Sequence, residues 1–163
     1  KSPAMTEALV PTNVDVPGFE EIVEAFLARD YTRVSKFAET VIHEAKPVQA
    51  LLLSLIGLSR SGNVRLARQL GEISIKRLRP RDPWSANLIG LALGQQEIES
   101  SLVGDVNTTA QCQALFYHAA AKASGGEKAQ AIALLKKAMA IDAPCLELYL
   151  AHKEFEFIEN TDN

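Results

Sequence analysis

The sequence is poor in several features, and each shortage excludes a class of protein. Two cysteines among 163 residues cannot form a dense disulfide framework, and this usage fits a reducing compartment. The longest apolar runs are too short to span a bilayer. Residues 1–16 lack a basic end followed by an apolar stretch, so no secretory signal is predicted. We therefore expect a cytoplasmic protein without a membrane partner.

Net charge is also small, because 17 basic residues nearly balance 20 acidic ones. A net charge of -3 provides no global attraction to nucleic acid or to an anionic membrane. Hydrophobic residues make up 47% of the chain, which is enough for a core and argues against disorder. The length suits one compact domain or a short repeat array.

Helical periodicity runs through the chain from Gly18 onward, and no segment shows the alternation of a β-strand. Before it, residues 1–17 hold three of the seven prolines and are predicted to be extended or mobile. Asp82 followed by Pro83 is the clearest helix start, and Thr108 with Gln111 is a candidate capping box. The predicted helices are 19–27, 34–42, 48–60, 64–78, 83–93, 96–103, 110–124, 128–141 and 144–158.

The spacing of the turns between these helices is the most informative pattern. Gly62, Gly94 and Gly126 recur at intervals of 32 residues, and the turn at Arg29-Asp30 lies 33 residues before Gly62. Glycine suits these positions because it tolerates the left-handed conformation that closes helices. Four helix-turn-helix hairpins at this period are typical of a solenoid. The sequence therefore predicts an all-α protein built from about four hairpins.

Large and small residues alternate around the last of these turns, between residues 112 and 142. They are Leu115, Phe116, Tyr117, Ala119, Gly126, Ala131, Leu135 and Ala138. This alternation resembles the tetratricopeptide repeat (TPR) family, whereas the second hairpin departs from it at Gly71, where a bulky residue is usual. The resemblance covers about residues 18–142. It implies a right-handed α-solenoid over 18–158 with a C-terminal capping helix, followed by an acidic tail at 159–163.

A vaguer resemblance concerns function. Small acidic TPR proteins of this length are similar to the cytosolic chaperones of bacterial type III secretion. The stretch 83–102 resembles one group of these chaperones, those of the needle subunit, and the chain continues for a further hairpin beyond it. This resemblance implies a chaperone that holds another protein.

The residues that catalysis requires are not grouped in the sequence. His43, His118 and His152 fall in separate predicted helices without a second ligand nearby. Cys112 and Cys145 stand one repeat apart, which would stack them in adjacent hairpins, but a zinc site needs two further ligands. Buried cysteines acting as small apolar residues are the favoured interpretation. We predict no enzyme activity, no metal, no cofactor and no small-molecule substrate.

The TPR resemblance implies a concave groove lined by the first helix of each hairpin. Its predicted lining is Gln49, Leu53, Ile56, Arg60, Trp84, Leu88, Leu91, Phe116, Tyr117 and Ser124. An apolar lining suits a hydrophobic peptide or amphipathic helix, so the predicted function is a chaperone or adaptor. The alternative is that several of these residues pack between helices. If they line the groove, Leu53→Glu or Tyr117→Glu abolishes partner capture and leaves the helical content intact.

Charge is distributed unevenly along the chain. Residues 60–82 carry seven basic and two acidic residues, and residues 147–163 carry five acidic residues and one lysine. A candidate patch for an acidic partner is Lys76, Arg77, Arg79 and Arg81. The alternative is that these cations are solvated and favour the dipole at a helix C-terminus.

The opposite charges of the two segments give a second hypothesis, a structural subunit that self-associates as a homo-oligomer. RNA binding is a third and is disfavoured, because aromatic residues do not interleave with the basic ones.

Overall fold

A computed structural model describes residues 18–38, 47–98 and 107–161. These residues form α-helices and no β-strand, which confirms the predicted all-α class. The helices are α1 (Phe19–Leu27), α2 (Tyr31–Ser35), α3 (Val48–Arg60), α4 (Val64–Leu78), α5 (Pro83–Ala92), α6 (Thr108–Ser124), α7 (Lys128–Met139) and α8 (Leu146–Thr161). The predictions made for residues 1–17, His43, most of the helix 96–103 and the end of the acidic tail lie outside the described residues.

The described residues fall into two compact units. The N-terminal unit spans 18–95, and in it α3 packs against α1, α2, α4 and α5. The C-terminal unit spans 96–161, and its helices α6, α7 and α8 pack against one another. Each unit therefore has a helix-on-helix core, and the stacking of the hairpins into a right-handed solenoid stays a prediction.

The four predicted turns share one backbone structure. Their central residues have positive φ angles, and they are Arg29 at 62°, Gly62 at 99°, Gly94 at 73° and Gly126 at 82°. In the second turn, Gly62 N–H bonds the Ser59 carbonyl at 3.2 Å, and Asn63 N–H bonds the Leu58 carbonyl at 2.8 Å. The other three turns repeat this pair of bonds, which defines the Schellman motif at a helix end. The repeat is thus present in the local structure, including at Arg29, where no glycine marks it.

Capping residues explain where two of the helices begin. The Asp82 carboxylate accepts hydrogen bonds from the Ser85 N–H at 3.1 Å and the Ser85 hydroxyl at 2.6 Å, which confirms the start predicted before α5. The capping box predicted at Thr108 is wrong by one residue. Asn107 is the cap, because its side chain accepts from the Ala110 N–H at 2.8 Å, and Thr108 is the first helical residue.

Two glycines allow neighbouring helices to approach closely. A Cβ placed on Gly57 of α3 would lie 2.5 Å from Val34 Cγ1 of α2. A Cβ placed on Gly71 of α4 would overlap the side chain of Leu93, which follows α5. The glycine at 71, a departure from the TPR pattern, therefore lies where α4 packs closely against the end of α5.

Candidate functional site

The apolar residues of the predicted groove lie in the core. The side chains exposed by 2% or less are Leu53, Ile56, Leu88, Leu91, Phe116 and Tyr117. These six side chains are therefore not exposed on the surface of a groove, because the surrounding helices cover them. A partner would reach them only after the helices separated, and binding through them stays a prediction.

The remaining four groove residues are at least partly exposed. Arg60 donates to Tyr31 Oη at 2.8 Å, and its guanidinium carbon lies 5.2 Å from the centre of the Tyr31 ring. The same guanidinium lies 5.7 Å from the centre of the Phe26 ring. Arg60 thus connects α3 to α1 and α2. In α6, the Ser124 hydroxyl donates a hydrogen bond to the Ala120 carbonyl at 2.8 Å. Gln49 and Trp84 are half-buried.

A buried carboxylate joins α6 to α8 in the C-terminal unit. Glu147 has no exposed surface, and its Oε2 accepts from Tyr117 Oη at 2.8 Å. Gln113 Nε2 lies 3.4 Å from Oε1 of the same carboxylate. Burial, together with the negative charge of Glu147, raises the pKa of Tyr117 well above 10.0. In the sequence, Glu147 stood out only as one of the five acidic residues of 147–163, although its place between Leu146 and Leu148 indicated an apolar setting.

Tyr117→Phe is expected to destabilise the protein by about 1–2 kcal/mol near neutral pH, because the buried hydrogen bond from Tyr117 to Glu147 is lost. The raised pKa means that Tyr117 stabilises the fold fully below pH 10.0. Above that pH the unfolded chain releases the proton that the folded state retains, so this stability is lost as the pH rises. Urea unfolding on both sides of this pH should therefore show a shallower alkaline loss for Tyr117→Phe than for the wild type.

Tyr149→Phe is the matched control for this prediction. Tyr149 is also buried in the C-terminal unit, and its hydroxyl has no hydrogen-bond partner among the described residues. Its loss should change the stability near neutral pH by less than about 0.5 kcal/mol. An alkaline loss that is identical in Tyr117→Phe and the wild type would contradict the role assigned to the Tyr117–Glu147 bond.

His118 is a buried residue beside an ionic cluster whose two carboxylates are exposed. It is 3% exposed, and its Nε2 lies 3.4 Å from Glu97 Oε1. Lys122 Nζ lies 3.8 Å from Glu97 Oε2 and 3.7 Å from Glu127 Oε1. Among the residues that the structure describes, no group of three or more His, Cys, Asp or Glu side chains is placed to hold a metal ion. This cluster therefore provides packing and charge pairing around α6.

A row of exposed cations follows α4 and the turn after it. These residues, here called the basic face, are Arg65, Arg68, Lys76, Arg77, Arg79 and Arg81. None of them forms an ion pair or side-chain hydrogen bond with another residue in the described part of the chain. Ile73 lies on the same exposed side of α4 and is 49% exposed. The patch predicted from four residues thus extends along the whole helix, with Glu72 as the acidic residue within it.

Electrostatics within α4 account for only part of the basic face. Lys76 and Arg77 lie in the last turn, where cations interact favourably with the helix dipole. Arg65 lies in the first turn, which holds no acidic residue, and a cation there lowers helix stability by about 0.3–1 kcal/mol. The position of Arg65 is therefore not explained by the stability of α4.

None of the described helices is both long and apolar enough to cross a membrane. The TPR resemblance depends on the residue pattern of the sequence alone. Compared with protein-family models, curated proteins and solved structures, the chain matches none of them.

Proposed function

We propose that this protein is a non-enzymatic protein-binding module, a cytoplasmic chaperone or adaptor of TPR type. It binds its partner through the basic face, and the partner segment is an acidic amphipathic helix. The observation that carries this proposal is the row of six exposed cations, which lack partners within the described chain and share α4 and the turn after it with the exposed Ile73. The apolar groove gives less support, because most of its predicted lining is buried.

The geometry of α4 defines the chemistry of the partner. Arg65 and Lys76 are three helical turns apart, a distance of roughly 16 Å along the axis. An antiparallel or parallel helix could place a carboxylate opposite each cation and an apolar side chain against Ile73. Charge complementarity of this kind raises the association rate and selects the partner, and it weakens with added salt.

Arg65→Glu/Arg68→Glu is expected to weaken binding of an acidic helix by at least about tenfold, because two attractive contacts become repulsive. The probe is a synthetic amphipathic peptide with one glutamate on each turn and leucines between them. Fluorescence anisotropy at low and high salt measures the affinity. Lys136→Glu/Lys137→Glu on α7 is the matched control, because both lysines are exposed and the net charge changes equally.

The same variants separate binding from stability. Arg65→Glu should leave the urea midpoint unchanged or raise it slightly, because an acid replaces a cation in the first turn of α4. Equal binding by the wild type and Arg65→Glu/Arg68→Glu would contradict the proposal. Tighter binding of a single-stranded RNA than of the peptide, with the same dependence on these arginines, would assign the basic face to nucleic acid instead.

Self-association is a second candidate, and one observation favours it. Helix α8 exposes Phe157, which is 41% exposed, beside the exposed acids Glu156 and Glu159. That combination is the chemistry expected of the partner, so α8 of a second copy is a candidate occupant of the basic face. Sedimentation at increasing protein concentration tests this, and a wild-type monomer at every concentration would exclude it.

A further inference from the structure

Two arginines converge on one tyrosine hydroxyl in the N-terminal unit. Arg29, in the turn between α1 and α2, donates to Tyr31 Oη at 3.0 Å, and Arg60, at the end of α3, donates to the same oxygen at 2.8 Å. All three side chains are half-buried. The two Nη1 atoms are no more than roughly 6 Å apart, because both bond one oxygen, and like charges this close repel each other. A contact that only joined the helices would need one guanidinium rather than two.

The backbone conformation of Arg29 also sets this residue apart. The four turns share a positive φ at their central residue, and three of them have glycine there, whereas Arg29 has a φ of 62°. Any side chain disfavours this conformation, because its Cβ crowds the following carbonyl oxygen. The turn itself therefore gives no reason for an arginine at position 29.

We propose that Arg29, Tyr31 and Arg60 form a binding site for a phosphate group. A guanidinium has five N–H donors, so its bond to Tyr31 leaves it able to donate to a second acceptor. The Tyr31 hydroxyl accepts both arginine bonds, and its own O–H donates to no acceptor in the described part of the chain. The site thus offers donors from three side chains and two positive charges. It belongs to α1–α3 and does not depend on partner binding by the basic face.

A phosphate group matches these donors better than a carboxylate does. A phosphate monoester carries a charge of about −1.5 to −2 at pH 7 and three acceptor oxygens, so it can balance both guanidiniums and accept from Tyr31 as well. The planar guanidinium fork also fits a pair of phosphate oxygens. Asp30, the acidic residue between Arg29 and Tyr31 in the sequence, has its carboxylate at the start of α2, where it accepts from the Arg33 N–H at 3.2 Å.

Aromatic packing orients Arg60 before a ligand binds. The guanidinium carbon of Arg60 lies 5.2 Å from the centre of the Tyr31 ring and 5.7 Å from the centre of the Phe26 ring. The two rings meet edge to face, with their centres 5.9 Å apart. Because the guanidinium is already held in place, binding a phosphate group orders little further structure.

The test measures the melting temperature of the wild-type full chain in millimolar inorganic phosphate, phenyl phosphate or acetate, each compared with sodium chloride of equal ionic strength. Both phosphates should raise the melting temperature by at least about 3 °C, and acetate by less than about 1 °C. A rise with phenyl phosphate assigns the site to phosphate monoesters, and a rise with inorganic phosphate alone assigns it to the free ion. Equal rises with phosphate and acetate, or none beyond that in chloride, would overturn the proposal.

Arg29→Gly then separates phosphate binding from the stability of the turn. It gives the first turn the glycine of the other three, so the melting temperature in chloride should stay within about 3 °C of the wild type, while the rise with phosphate is lost. Arg33→Gln on α2 is the matched control, because it removes the same charge from an exposed side chain and should keep the full rise. A wild-type rise with phosphate in Arg29→Gly would show that Arg29 only holds Tyr31 and would overturn its assignment to the site.

Discussion

Replacing Leu53 with glutamate is expected to unfold the N-terminal unit. Leu53 has no exposed surface, and it belongs to α3, which packs against each of the four other helices described in that unit. A carboxylate at this position would be desolvated without a hydrogen-bond donor or cation to compensate it. This desolvation costs about 5 kcal/mol or more, which equals the whole free energy of unfolding of many domains. Far-UV circular dichroism should show loss of helix, and urea unfolding should lose most of its cooperative transition.

Two controls separate this effect from partner binding. Leu53→Met conserves the volume and the apolar character, and it should cost less than about 1.5 kcal/mol. Gln49→Glu introduces the same charge on the same helix at a half-buried position, and it should leave the helical content intact. Tyr117→Glu should behave like Leu53→Glu within the C-terminal unit, because Tyr117 is also fully buried. Native helical content in Leu53→Glu would restore the groove prediction for this residue.

The sequence predicted most of the described helices and turns because their determinants are local. An exception is α2, which spans Tyr31–Ser35, whereas a helix over 34–42 was predicted. Asp82 and Pro83 act on the next few residues only, and a left-handed residue closes a helix wherever it occurs. The turn at Arg29 was predicted from its polar residues between two apolar stripes and from its spacing, since arginine gives no conformational indication of a positive φ. The cap of α6 was misplaced by one residue because Asn107 and Thr108 are both good caps.

Core and groove could not be separated by the same reasoning. An apolar stripe shows that a helix face is buried, but it does not show whether a neighbouring helix or a partner covers it. In α3 every residue from Ala50 to Leu58 is buried, so the apolar side of that helix had no surface left for a partner. The continuous apolar composition of this helix was the available indication, because a helix that is apolar all round belongs in a core.

Contacts between residues far apart in the chain could not be predicted from the sequence either. The bond between Tyr117 and Glu147 requires that α6 and α8 meet, and no spacing rule supplies that.

Gly57→Ala is expected to destabilise the N-terminal unit by about 2 kcal/mol or more, although alanine is the better helix former. Helix propensity alone predicts a gain of about 1 kcal/mol at an interior position. The added Cβ, however, would lie 2.5 Å from Val34 Cγ1 and 2.8 Å from Val34 Cβ. The Cβ of Val34 is fixed to the backbone of α2, so the contact is relieved only if α2 and α3 move apart. Equilibrium unfolding in urea measures whether the free energy of unfolding falls or rises.

Gly71→Ala is the matched control, since it makes the same change in α4 against a different obstacle. The atom nearest to the new Cβ is the Cδ1 of Leu93, the far end of a flexible and half-buried side chain. Rotation of the Leu93 side chain would relieve the overlap. We therefore expect the free energy of unfolding of Gly71→Ala to lie within about 1 kcal/mol of the wild-type value, above or below it.

Val34→Ala tests the cause of the loss at Gly57. This substitution removes Val34 Cγ1, the atom closest to the new Cβ, and leaves only the contact with the Cβ of residue 34 at 2.8 Å. The loss caused by Gly57→Ala should therefore be smaller in the Val34→Ala background than in the wild type, as a double-mutant cycle measures. Additive losses would show that the two side chains do not interact and would exclude the contact between α2 and α3 as the reason for glycine at position 57.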